Sequence, residues 1–245
     1  MKSVTGWKWM GKAIQASVLA APCALGVTAA YAARPMITDD ARVVDPKACQ
    51  VESWARRNQN GTNEFWAQPA CNFTGNLEVT VGGALTRENN GGPTHHSAQV
   101  LQGKTLFKPL EANGWGYGLA VGTVRDPRSG SGGGRSWYSY VPTSFSFADD
   151  RFVLHTNLGW QRDQGTRRNH VTWGLGSETQ LTERAYLIAE TFGAGDGKPH
   201  YQMGVRYWII PNRVQVDTTY GNRFGGGGER WISVGLRLLS PAFLP

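Results

Sequence analysis

The sequence predicts an all-β protein, an antiparallel transmembrane β-barrel of about twelve strands with short periplasmic turns and longer Gly-rich outer loops. Three observations lead there. In the last stretch, Arg230 to Leu238, Ile232, Val234, Leu236 and Leu238 fall on one side of a strand, and Trp231, Ser233, Gly235 and Arg237 on the other. A final strand of that kind, after a long series of similar ones, can pair with the first and remove both sheet edges. The connections alternate between long and short, in the phase that places both termini on the periplasmic side. The strands run to about 9–12 residues, a length that suits a tilted membrane span.

In chain order, Lys2, Lys8 and Lys12 precede an uncharged run from Ala13 to Ala30, closed by the small-x-small pattern Ala30-Tyr31-Ala32. Residues 1–32 therefore read as a secretory signal peptide. Pro22 before Cys23 argues against a lipoprotein signal. Residues 33–48 carry Pro35, Asp39, Asp40, Asp45 and Pro46 without periodicity and read as an irregular periplasmic segment, leaving 49–245 as the barrel domain.

Cys49 and Cys71 are the cysteines left after export, and in an oxidising compartment they are most simply a disulfide. A hairpin with its tip at Asn60-Gly61 sets them opposite each other. Free thiols are the alternative.

Strands are expected at 49–57, 64–73, 77–88, 97–108, 114–125, 136–147, 151–162, 169–179, 184–192, 200–210, 213–221 and 229–239. Polar or Gly-rich connections follow the odd ones, such as Asn89 to Pro93, Arg128 to Gly134 and Phe224 to Gly228. Tight turns, such as Thr74-Gly75-Asn76, Ala148-Asp149-Asp150 and Pro211-Asn212, follow the even ones.

Alternation alone does not say which face is outside, since a soluble barrel alternates too. The side with Leu77, Val79, Val81 and Leu85 opposes Glu78 and Thr80. Likewise Trp115, Tyr117, Leu119 and Val121 oppose Gly116, Gly118 and Gly122. Small and polar residues suit a lumen, which puts the apolar side toward lipid. Trp54, Trp66, Trp115, Trp137, Trp160, Trp173, Trp208 and Trp231 fall on eight different strands, mostly near an end, as an aromatic girdle would place them.

The formal charge of +7 includes the three signal lysines, which have no acid among them. The rest of the Lys and Arg residues are interspersed with acids along the chain, so a nucleic-acid partner has no support.

The start Arg34-Pro35-Met36-Ile37-Thr38-Asp39-Asp40-Ala41-Arg42 followed by Cys49-Gln50-Val51-Glu52-Ser53-Trp54, and the ending Gly235 to Pro245, resemble an outer-membrane family named for the meta-pathway of phenol degradation. The resemblance implies an outer-membrane β-barrel that takes up apolar or aromatic compounds, and it carries no catalytic set. Between these ends the likeness is one of pattern.

With that face assignment the lumen receives Glu52, Arg56, Glu64, Glu78, His155, Asn157, Glu190, Arg206, Asp217 and Arg237. Buried charges must be paired or hydrated. They form either a polar lining that sets selectivity or an ion-pair network that plugs a narrow barrel. An enzyme is not expected: lipid hydrolases of such barrels need His and Ser two apart on a strand, and neither His155-Thr156-Asn157 nor His95-His96-Ser97 offers it. His170 has Thr172 in that place. Glu52, Glu78 and Glu190 fit salt bridges better than a glycosidase pair. His95, His96 and His200 lack metal-ligand spacing, so no metal or cofactor is expected.

The expected function is a passive channel or uptake barrel for small molecules in the bacterial outer membrane. The alternatives are a plugged structural or binding barrel contacting lipopolysaccharide or a partner and, more remotely, a lipid-modifying enzyme. Outer-membrane lipid, lipopolysaccharide and the barrel-insertion machinery are the expected partners.

Overall fold

A computed structural model describes residues 36–128, 135–162, 167–195, 197–226 and 229–245. The expected signal peptide, residues 33–35, and parts of the connections after the fifth, seventh, ninth and eleventh strands lie outside the described residues.

The strands are β1 (Cys49–Asn58), β2 (Asn63–Asn72), β3 (Leu77–Arg87), β4 (Thr94–Lys108), β5 (Trp115–Arg125) and β6 (Arg135–Phe147), followed by β7 (Phe152–Arg162), β8 (Asn169–Gln180), β9 (Ala185–Ala194), β10 (His200–Ile210), β11 (Val214–Arg223) and β12 (Trp231–Leu239). Each pairs antiparallel with its neighbours in sequence, and β12 pairs with β1 from Gln50↔Leu239 to Asn58↔Trp231. The sheet is thus a closed barrel without a free edge. Strand β4 begins three residues earlier than expected, because a register shift beside Ala84 lets it continue along β3.

Alternation sorts the wall into two faces. Outside, Leu101, Val121, Leu158, Val205, Ile232 and Val234 are exposed and form an apolar band. Inside, Gln50, Glu52, Gln102, Lys104, Arg206 and Arg237 are buried. This inverts a water-soluble core, where the buried side is the apolar one. Phe107, Trp115, Phe147 and Phe152 ring the outside near the tight-turn end, and Phe65, Trp137, Trp160 and Trp173 ring it near the loop end.

The tryptophans do not all belong to these belts. Trp54, Trp66, Trp208 and Trp231 have the lumenal parity. A position near a strand end is shared by girdle and lumen residues alike, and parity decides between them. The lumen makes room for the rings with glycine: a Cβ on Gly221 would come within 2.1 Å of the Trp231 indole. Trp54 stacks on Trp66 with ring centroids 5.3 Å apart, and the Arg56 guanidinium lies 4.3 Å from the Trp231 ring centre.

Residues 36–48, expected as an irregular segment on the periplasmic side, instead thread the barrel interior. Met36, Thr38, Asp40, Ala41, Val44 and Ala48 are all buried. The segment leaves at the turn end, where Lys47 N donates to Asn72 O and Asn72 N donates to Ala48 O. The chain's other end folds over the same place. Phe243 N and Leu244 N donate to Lys47 O, Ser240 N donates to Cys49 O, and the Lys47 ammonium bonds the Pro245 carbonyl. Cys49 and Cys71 are register partners and form a disulfide, as expected.

Candidate functional site: a closed lumen

A backbone segment without sheet partners must have its N–H and C=O groups met by side chains. The wall supplies them. The Glu190 carboxylate accepts Ile37 N at 2.8 Å and Thr38 N at 2.7 Å, and it is itself held by Gln202 Nε2 at 2.5 Å. Asn157 meets Asp39 as a strand would: Asp39 N donates to Oδ1 at 2.7 Å, and Nδ2 donates to Asp39 O at 2.8 Å. Ser144 Oγ accepts Ala41 N at 2.8 Å, and Glu78 accepts Val44 N at 2.9 Å. Asn72 Nδ2 donates to Val44 O at 2.8 Å. Three of these contacts to the segment backbone have carboxylate acceptors, a stronger class of bond than a neutral pair when the acceptor is ionised.

The charges of segment and wall compensate one another. Lys104 Nζ lies 3.0 Å from Asp39, 3.7 Å from Asp40 and 4.0 Å from Glu78. Tyr140 OH adds a 2.7 Å bond to Asp39 Oδ2. On the opposite wall Arg206 bonds Glu178 at 2.6 Å and faces Asp217 across the β10–β11 register. Arg237 donates to Gln50 Oε1 at 2.8 and 2.6 Å and lies 3.6 Å from Glu52.

All ten residues assigned to the lumen from sequence face it, but they act in two groups. Glu78, Asn157 and Glu190 hold the threaded segment directly. His155 does so through Ser144, and Glu52, Arg206, Asp217 and Arg237 form the surrounding charge network. Arg56 and Glu64 stand higher, near the loop end, 3.9 Å apart. Glu64 accepts from Asn58 at 2.6 Å and from the Trp66 indole at 3.0 Å. The sequence reading missed Lys104, Ser144 and Glu178. Strand parity was the available signal, since Lys104 pairs with Glu78 in register and Glu178 shares the face of Gly174 and Gly176.

Ser144, His155 and Glu178 together form a constellation that single-strand inspection does not find. Ser144 Oγ is 2.8 Å from His155 Nδ1, and His155 Nε2 is 3.5 Å from Glu178. The residue types suit nucleophilic catalysis, yet the site is sealed: Ser144 is fully buried and its oxygen already accepts Ala41 N–H. Its geometry is that of an anchor for the segment.

Two cavities lie at opposite ends of that segment. The larger, about 620 Å³, is near the loop end and is lined by Ile37, Trp66, Tyr138, Tyr140, Phe192 and Lys198 among others. The smaller, about 310 Å³, is at the turn end and is lined by Ala41 to Pro46 with Leu106 and Pro109. At the loop rim, outside the strands, Glu229 is 2.8 Å from His200 Nε2 and 2.8 Å from Arg223. The His200 hydrogen bond, aided by Arg223, holds its carboxyl below the ordinary glutamate value.

The family model described as uncharacterised conserved protein UCP029691 matches residues 19–239. The chain belongs to that family. None of the matches carries the phenol meta-pathway name that the two ends of the sequence suggested, and no curated protein matches in sequence. Among solved structures, the KdgM porin superposes with a TM-score of 0.57 at 9% identity, covering 77% of this chain and 98% of that one. The NanC porin gives 0.56 at 9%, with coverage of 78% and 98%. The Acinetobacter baumannii outer membrane protein Omp33 gives 0.50 at 10%, with 78% and 96%. At such identities the likeness is one of fold, and the shared fold is the closed antiparallel barrel of outer-membrane porins.

Proposed function

We propose that this protein is an outer-membrane barrel for the passage of small molecules whose resting state is closed by its own residues 37–44. The apolar band with an aromatic belt at each end suits a bilayer. In this reading the loop end faces outward and the turn end faces the periplasm. The observation that carries the proposal is the position of the two cavities. Ile37 borders the outer one, Ala41 to Pro46 border the inner one, and what divides them is the threaded segment. A solute entering from the loops meets an aromatic and amide wall, which suits molecules with an apolar face, and then the segment.

The segment is held by hydrogen bonds and ion pairs instead of an apolar core, so it can exchange those partners for water, and a lumen lined by Lys104, Glu78 and Glu190 would remain. Liposome swelling tests this. Vesicles with the intact mature barrel should swell slowly in small neutral solutes, and vesicles with a folded variant lacking residues 36–44 should swell fast.

The rival is a permanently plugged binding barrel, favoured by the aromatic walls of the outer cavity. It predicts that the deletion variant loses its heat-resistant fold and gains no permeability.

A further inference from the structure

The basic residues that are dispersed along the sequence are gathered by the fold at the outer surface of one end. Arg57, Arg87, Arg125, Arg135 and Arg162 stand at the loop ends of β1, β3, β5, β6 and β7, each on the parity that points away from the lumen. They sit just above the belt of Phe65, Trp137 and Trp160. Arg125 and Arg135 are direct register partners, which places their Cβ atoms about 5 Å apart. Like charges set opposite each other repel, and among the described residues no carboxylate pairs with either. An anion between them would convert the repulsion into two charge-assisted contacts.

A second feature leads to the same point. A groove of about 510 Å³ runs down the outer wall over β3 to β6, floored by Leu77, Val79, Leu101 and Val121, with Trp137, Arg125 and Arg135 at its loop end. It exists because β4 presents Gly103 outward: a Cβ there would meet only Leu77 Cδ1, at 3.8 Å. From the level of Leu77, which is that of Leu119 across β4, to Arg125 is six residues along β5, about 20 Å at the rise of a strand. That is the reach of a lipid acyl chain. A long apolar trough that ends in paired guanidinium groups beside an indole has the form of a site for a phosphorylated acyl lipid.

We propose that this groove binds lipopolysaccharide, with an acyl chain over Leu101 and Val121 and a lipid phosphate bridging Arg125 and Arg135. The choice of lipopolysaccharide rests on the reading above that the loop end faces outward. The site is on the outer wall, separate from the lumen, so it does not depend on whether the barrel conducts.

The test is calorimetric titration of the refolded mature chain in detergent with purified lipopolysaccharide and, separately, with phosphatidylglycerol. Heat-resistant gel mobility serves as the check of folding. Arg125→Gln combined with Arg135→Gln should weaken lipopolysaccharide binding at least tenfold. Gly103→Leu, which fills the trough and keeps both charges, should weaken it similarly, and Arg168→Gln should leave it unchanged. Unaltered binding by the folded double variant and by Gly103→Leu would overturn the site. Phosphatidylglycerol binding as tightly as lipopolysaccharide would overturn the assignment of the lipid. Labelling a Gln59→Cys variant on whole cells with a membrane-impermeant maleimide reports the orientation by itself, so its failure is told apart from a failure of the groove.

Discussion

The Lys104 ammonium lies 3.0 Å from the Asp39 carboxylate, joining the middle of β4 to a segment that precedes the first strand. Both side chains are inside the barrel, and Asp40 and Glu78 are within 4.0 Å of the same ammonium. Lys104, with Arg42 3.9 Å from Asp40, balances an acidic cluster drawn from both the wall and the segment.

Replacing Lys104 by Met removes the ammonium nearest Asp39 and Glu78 and leaves Arg42 as a partner of Asp40 alone. Breaking one side of a buried ion network costs about 3–5 kcal/mol. The loss should appear as a lower unfolding temperature and as faster proteolysis within residues 36–44, where the charge repulsion is relieved by release. A Lys104→Met barrel of unchanged stability, with its segment still protected, would show that the pairing matters little.

The disulfide between Cys49 and Cys71 closes the first hairpin at the turn end, with a sequence separation of 22. Cys49 is also bonded through its backbone to Ser240, so the bond fixes the place where the segment leaves and the last residues fold back. Loop closure of this size is worth about 3 kcal/mol. Cys49→Ser with Cys71→Ser should lower the denaturant midpoint of the barrel by a corresponding amount, measured against the oxidised wild type.

Gly221 faces Trp231 across the β11–β12 register, and the indole occupies the space of its missing side chain. Gly221→Val should force the ring off its position and destabilise the barrel by about 1–3 kcal/mol. The indole N–H resonance of Trp231 reports the displacement, and an unshifted resonance would count against this packing.

The fold was legible from the alternation of residues such as Ile232, Val234, Leu236 and Leu238 because a closed barrel imposes the same two-residue period on every strand. The same parity identified Arg206, Asp217 and Arg237 as lumenal. The threaded segment was not legible. Its backbone is satisfied by Glu190, Asn157, Ser144 and Glu78 from distant strands, and such long-range bonds leave no period in the segment itself. The inward tryptophans differ from the girdle expectation for a related reason: Trp231 occupies the space left by Gly221 and Trp54 stacks on Trp66, which only the register shows. Lys104 and Glu178 share the lumenal parity of their strands, so parity alone reaches them. The Arg125–Arg135 pair emerges only when β5 is laid beside β6.

At the loop rim Glu229 is held low by His200 and Arg223. A carboxyl whose value is depressed by folding contributes at pH above its unfolded value, and the contribution is lost as pH falls through the folded value. The carbon-13 titration of Glu229 should therefore have a midpoint below 4.5, the ordinary value. His200→Gln should move it upward. A midpoint at 4.5 in the wild type would mean that the rim contact does not persist.

Closure of the lumen by residues 37–44 can be read from single-channel recordings in planar bilayers. The intact mature barrel should give long silent records, and the folded variant lacking residues 36–44 should give discrete current steps. Steady open-channel current from the intact barrel, unchanged by the deletion, would show that residues 37–44 do not close the lumen.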